Sequence, residues 1–206
     1  MSRVIPYACA SSFSNRSAVS SCVKTTGTSL GRELPEIYAL HEELSAWWGR
    51  LPVEMRLTPT NIATISSELL PNVLLVNVVY HQSLCTLHAS IVPLFCWGAA
   101  PDDDAWSTAR KLSAQLAYEH ACLTSELLNA VLSTSMNHSA IPSFISYGAY
   151  CGCAIQIPFM WSSNRQVRER ACANVKANMK MTSIMAKYWK YAALLVRPPI
   201  HPKEIS

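Results

Sequence analysis

The sequence predicts an all-α protein, an irregular multi-helix bundle of about six helices behind a disordered N-terminal leader. Three observations predict it. Apolar residues recur at spacings of three and four in one segment after another. Prolines stand where such segments begin or stop, at Pro52, Pro71, Pro101, Pro142, Pro158 and Pro198. No alternating strand pattern and no Asn-Gly or Asp-Gly hairpin turn competes. The 206 residues are 50% hydrophobic and 15% charged, which provides for a sizeable core and excludes a wholly disordered regulator. The helices do not repeat at a fixed period, so the chain is not read as a solenoid.

The organisation expected is a Ser/Thr-rich leader over 1–32, a helical domain over 33–197 and a Pro-rich tail over 198–206. Ile37, Leu40, Leu44, Trp47 and Leu51 make one face of a first helix, stopped by Pro52, with Glu36, Glu42 and Glu43 on its other side. A linker to about Ser67 contains the turn material Thr58-Pro59-Thr60-Asn61. Pro71 suits the first turn of the next helix, which is apolar nearly all round from Asn72 to about Ile91 and so predicts burial on several sides. Pro101-Asp102-Asp103-Asp104 opens a long third helix, its carboxylates at the positive end of the dipole. Trp106, Ala109, Leu112, Leu116, Leu123, Leu127 and Val131 form its predicted apolar stripe. A fourth helix starts at Pro142, runs through Phe144, Ile145, Tyr150 and Ile155, and breaks at Pro158. Asn164 begins a fifth, with Val167, Ala171, Val175 and Met179. A last helix is expected from Thr182 to Val196, stopped by Pro198-Pro199.

The formal net charge of +4 is unevenly spread. Residues 164–206 hold nine of the seventeen Lys/Arg and two of the thirteen Asp/Glu, so this part carries +7 and the rest −3. Because the cations sit singly among apolar residues, a solvated helix face is favoured over a phosphate-binding patch. Eight cysteines contain no CxxC, and the one close pair is Cys151-x-Cys153. Most lie in apolar helical patterns, as free buried thiols of a reducing compartment would. No run of about 18 uninterrupted apolar residues occurs, so no transmembrane helix is expected. Residues 1–32 carry Arg3, Arg16, Lys24 and Arg32 with many serines and no acid, a composition shared with mitochondrial transit peptides and with floppy leaders.

Several constellations bear on possible chemistry. A six-cysteine binuclear zinc cluster needs paired cysteines so that two metals share thiolates, and the gaps here are too wide. His81, Cys85 and His88 share a helical face, but the two histidines are roughly 10 Å apart along the axis at about 1.5 Å per residue. Ligand bonds to zinc are only about 2 Å long, so one ion cannot use all three, and interior polar contacts are expected instead. No metal ligand, catalytic residue or cofactor is therefore assigned. Asp102-Asp103-Asp104 is an incomplete magnesium motif, since the next helical turn presents Trp106 and no further carboxylate. Gly148-x-x-x-Gly152 predicts close approach of another helix. There is no Gly-x-Ser-x-Gly, no Gly-x-Gly-x-x-Gly and no phosphate-binding loop.

Three stretches together resemble the fungal-specific transcription factor domain, the regulatory middle region of fungal zinc-cluster transcription factors. The first is Leu44-Ser45-Ala46-Trp47-Trp48-Gly49-Arg50-Leu51-Pro52, similar to the family's Trp-containing helix ending in Leu-Pro. The second runs from Leu74 to His88 and holds Tyr80-His81 followed by Leu87-His88, similar to the family's central-helix pattern. The third is Ile141-Pro142-Ser143-Phe144-Ile145-Ser146-Tyr147-Gly148-Ala149-Tyr150, followed by a basic helix with Ala171-Cys172 and by Tyr188-Trp189. Order and spacing agree over about residues 34–196. One departure stands at Ala89-Ser90, where the family often has Arg-Pro.

The resemblance implies a nuclear regulator of transcription, of the kind that controls a metabolic or secondary-metabolite gene set, with an all-α regulatory domain and no catalytic residues. It implies protein partners or transcription machinery, or a small-molecule effector, and no membrane. Its motif residues here are Trp48, Leu51, Pro52, Tyr80, His81, Leu87, His88, Phe144, Tyr147 and Trp189. Relatives read DNA through an N-terminal zinc cluster and often dimerise through a coiled coil; the 206 residues contain neither, so sequence-specific DNA binding is not expected of this chain alone. Two other readings stay open: a helical enzyme or small-molecule-binding protein without a recognisable motif, and a mitochondrial helical structural protein.

Overall fold

A computed structural model describes residues 30–92 and 104–196, with side chains from 34 and from 108 in the two segments. The expected leader up to residue 29, the Asp102-Asp103 pair, the Trp106 side chain and the Pro-rich tail lie outside the described residues. Those described form six α-helices and no strand: α1 (Leu30–Arg50), α2 (Leu70–Ala89), α3 (Asp104–Leu132), α4 (Phe144–Gln156), α5 (Arg165–Met185) and α6 (Lys190–Leu195). The all-α class predicted from periodicity is what the chain adopts. None of these helices is long and apolar enough to cross a membrane.

The main core gathers Leu57, Ile62, Leu74, Val78, Leu128, Ile141, Ile145, Met181 and Met185 from four helices and two connections. α3 packs against α2, α4 and α5 together, while α1 lies on α2, and α6 lies on α5 and α4. α2 begins with Leu70 and Pro71 and buries residues on most sides, as its uniform apolarity demands. α1 starts at Leu30, three residues earlier than expected, and carries Pro35 in its second turn, where the ring removes one backbone donor.

The connection from α1 to α2 is more than a linker. Short 3₁₀ turns at Val53–Met55 and Ile62–Thr64 bring Leu57 and Ile62 into the core. Buried Asn77 holds this connection to α2: its Oδ1 accepts from the Leu57 N–H at 2.8 Å, and its Nδ2 donates to the Met55 carbonyl at 2.8 Å.

Three expected stripes are corrected. On α3, Leu112 and Leu123 are exposed, and the buried line is Ser113, Ala117, Ala121 and Ser125. These small residues, four apart, let neighbouring helices come close and turn Leu112 and Leu123 outward, while Leu127 and Val131 of the expected stripe are buried. On α4, Phe144 and Tyr150 face outward while Ile145 and Ile155 are buried. On α5, Met179 is exposed, and Asn174, Asn178 and Thr182 are inside. Thr182 moreover belongs to α5, its hydroxyl donating to the Asn178 carbonyl at 2.9 Å; the expected last helix shrinks to α6 after a turn over 186–189. Asn164, expected to begin this helix, stands just before it as its cap, its Oδ1 accepting from the backbone N–H groups of Gln166 and Val167.

The two glycines of Gly148-x-x-x-Gly152 mark close packing inside the bundle. A Cβ on Gly148 would stand 2.6 Å from Val78 Cγ1 of α2, and one on Gly152 would stand 2.9 Å from Asn178 Nδ2 of α5.

Candidate functional site

Where α1, α2 and α3 meet, four of the chain's six histidines come together in two pairs. α2 supplies His81 and His88, two turns apart on the face toward α3. His81 Nδ1 lies 2.9 Å from His120 Nδ1, and His88 Nε2 lies 2.8 Å from His41 Nδ1. In each pair one ring nitrogen must donate and the other accept. Burial lowers the pKa of His81 to about 3, with a further push from His120. Burial likewise lowers His88 and His120 to about 4, each also repelled by His41.

His88 continues into α3, where its Nδ1 is 3.2 Å from Ser113 Oγ. Serine, imidazole and a second imidazole thus stand in line, the order of a nucleophile, a base and its orienting group. Ser113 and His88 are fully buried, and an imidazole with a pKa near 4 is a feeble base at neutral pH. The line connects α1, α2 and α3; it does not present the hydroxyl to a substrate. Cys85, between the histidines, donates its thiol to the Ala117 carbonyl at 3.3 Å. His81, Cys85 and His88 thus take separate partners, as interior polar contacts. Among the described residues no group of three or more His, Cys, Asp or Glu converges to hold a metal ion.

Aromatic rings roof the histidines. Trp48 of α1 stacks on Tyr80 of α2, with ring centroids 4.1 Å apart and planes 6° from parallel, and Trp48 also leans on His81 at 5.5 Å. Tyr80 meets His120 edge-on at 6.0 Å. Of the residues singled out in the sequence, Trp48, Tyr80, His81 and His88 therefore share one site. Leu51 and Leu87 are half-buried nearby in sequence, and Pro52 is exposed just past the end of α1. Tyr38, His41, Ser113 and His120 complete the site and were missed. The signal available was four histidines on three predicted helices, but pairing them requires the helix register.

Phe144, Tyr147 and Trp189 lie elsewhere. Trp189 Nε1 donates to the Ile141 carbonyl at 3.1 Å and holds the start of α6 to the approach of α4. Phe144 and Tyr147, with ring centroids 5.6 Å apart, line an open groove of about 320 Å³ together with Ser143 and Tyr191.

A third polar feature is sealed inside α3, α4 and α5. Gln156 Nε2 donates to Ser125 Oγ at 2.8 Å and to the Gly152 carbonyl at 3.0 Å, while Gln156 Oε1 accepts from Asn174 Nδ2 at 2.9 Å. Asn178 Nδ2 donates to Ser125 Oγ at 2.9 Å. The described cysteines are free; Cys85 and Cys122 are buried as expected, whereas Cys172 is exposed.

Fold and sites define a helical module whose interior polarity joins its helices and which opens an aromatic groove between α4 and α6. Compared with family models, curated proteins and solved structures, the chain matches none.

Proposed function

We propose that this chain is a non-catalytic regulatory domain of the fungal zinc-cluster transcription factor type, acting in the nucleus through protein partners and not by reading DNA itself. The observation that carries the reading is the ordered set of three motifs around Tyr80-His81. Two of them meet at the Trp48–Tyr80 stack, and the third supplies the groove-lining Phe144 and Tyr147. The burial of Ser113 and His88 supports a structural use of the histidine line over the enzyme alternative. A small effector remains part of the proposal only at a surface concavity.

The test has two arms. Fused to a heterologous DNA-binding domain, the chain is expected to change expression of a reporter carrying that domain's site; no change in either direction overturns the regulatory reading. In a mobility-shift assay on random DNA across salt, the chain alone is expected to select no sequence. Selection of a sequence would overturn the partner-dependent part. Mitochondrial accumulation of a tagged chain, lost when residues 1–32 are removed, would replace the nuclear setting.

A further inference from the structure

We propose that the groove between α4 and α6 is a docking site for an acidic amphipathic helix of a partner protein. Its apolar walls are Phe144 and Tyr147 from α4 and Tyr191 from α6, with Leu194 one turn beyond Tyr191 on the same helix. These side chains are between 37% and 63% exposed, so the face is apolar and uncovered among the described residues. A cleft between two helices, walled by rings, accepts the apolar side of a third helix at i, i+3, i+4 and i+7 spacing.

Charge selects the occupant. Lys187, on the connection into α6, and Lys190, its first residue, are both exposed. From Leu127 to Val196 the sequence has a single carboxylate, Glu169, and that one is paired with Arg165 at 2.8 Å near the far end of α5. α4 carries no charged residue at all. The stretch that leads into the groove-lining Tyr191 is therefore cationic, and the one carboxylate of residues 127–196 is already paired, so an acidic segment gains attraction there that a neutral or basic one does not. A second copy is disfavoured, since a two-fold contact would set Lys187 and Lys190 against themselves. The chain's own residues 197–206 hold Arg197 and Lys203 against one Glu204 and so offer no acidic surplus. Two lysines neutralise few phosphates, and a cleft does not fit a planar bilayer.

This inference supplies a partner chemistry for the regulatory reading and rests on that reading only for its setting, since binding and reporter assays fail independently. The experiment is fluorescence anisotropy of the full chain with a labelled synthetic peptide of about twelve residues, Leu and Phe at helical spacing and Asp or Glu elsewhere. Saturable binding that weakens as NaCl rises is expected. Lys187→Glu with Lys190→Glu is expected to weaken it about tenfold or more, and Tyr191→Ala with Leu194→Ala to weaken it at every salt concentration. Lys111→Glu on α3 should leave it unchanged. A peptide with Lys in place of the acids should bind the Lys187→Glu, Lys190→Glu protein better than the unaltered one, a gain that misfolding cannot produce. Several results would overturn the proposal: no saturable binding, equal binding of a peptide whose apolar spacing is scrambled, or tighter binding of oligothymidylate or phosphatidylserine vesicles. So would displacement by a synthetic 197–206 peptide, or self-association that the Tyr191→Ala change abolishes.

Discussion

Gly148 of α4 lies against Val78 of α2 so closely that a Cβ on the glycine would come 2.6 Å from Val78 Cγ1. Both helices contribute fully buried residues here, and Val78 cannot swing aside because a β-branched side chain has few rotamers. Gly148→Ala is expected to destabilise the fold by about 1–3 kcal/mol through overpacking, against the gain that alanine normally brings to a helix. Thermal or urea unfolding measures it. Adding Val78→Ala should return part of the loss, and two strictly additive losses would remove the contact as the cause.

The histidine pairs predict loss of stability in mild acid. The folded pKa values of His81, His88 and His120, about 3, 4 and 4, lie below the ordinary 6.5 of an unfolded histidine. Between pH 6.5 and about 4 the unfolded chain therefore binds more protons. Their contribution to stability is complete above pH 6.5 and is lost as pH falls toward 4. Each of the buried His81 and His88 adds up to about 1.4 kcal/mol per pH unit in that window, and the less buried His120 adds less because solvent screens it. Urea unfolding at pH 7.5 and 5.0 measures the slope. A chain equally stable at both would contradict the lowered pKa values of His81, His88 and His120.

Gln156 joins three helices from one side chain. Replacing it by alanine takes the acceptor from Asn174 Nδ2 and leaves a void, so Gln156→Ala is expected to cost about 3–5 kcal/mol. Gln156→Glu should also destabilise above the carboxyl's pKa, because a charge would be buried beside Asn174 without a cation. Denaturant midpoints with a constant slope would measure both.

Arg170 supplies the contrast. It reaches Glu119 at 3.0 Å and Glu126 at 2.9 Å, yet its side chain is 37% exposed. Arg170→Met is expected to cost no more than about 1 kcal/mol, with the difference shrinking in high salt. Removing the cap with Asn164→Ala should cost a similar amount, about 1 kcal/mol, with no salt dependence. Parallel melts at low and high NaCl distinguish the two.

How much was legible beforehand follows from which contacts a pattern encodes. The all-α class, the stop at Pro52, the start at Pro71, the Asn164 cap and the close-packing glycines are local matters, set by φ restriction, missing donors and the absence of a Cβ. They stand in the sequence itself. The Trp48, Tyr80, His81 and His88 members of the site were found through the resemblance. Their partners His41, Ser113 and His120 depend on the relative rotation of three helices. That rotation went against simple hydrophobicity on α3, where the small line Ser113, Ala117, Ala121 and Ser125 turned inward and left Leu112 and Leu123 outside. Close approach of backbones and saturation of buried polar groups outweighed the burial of two leucines. By itself, then, the sequence determined the helices and most of their ends. Only the tertiary structure decided which faces meet, because pairing histidines and opening a groove at Tyr191 are properties of helix positions and not of helix patterns.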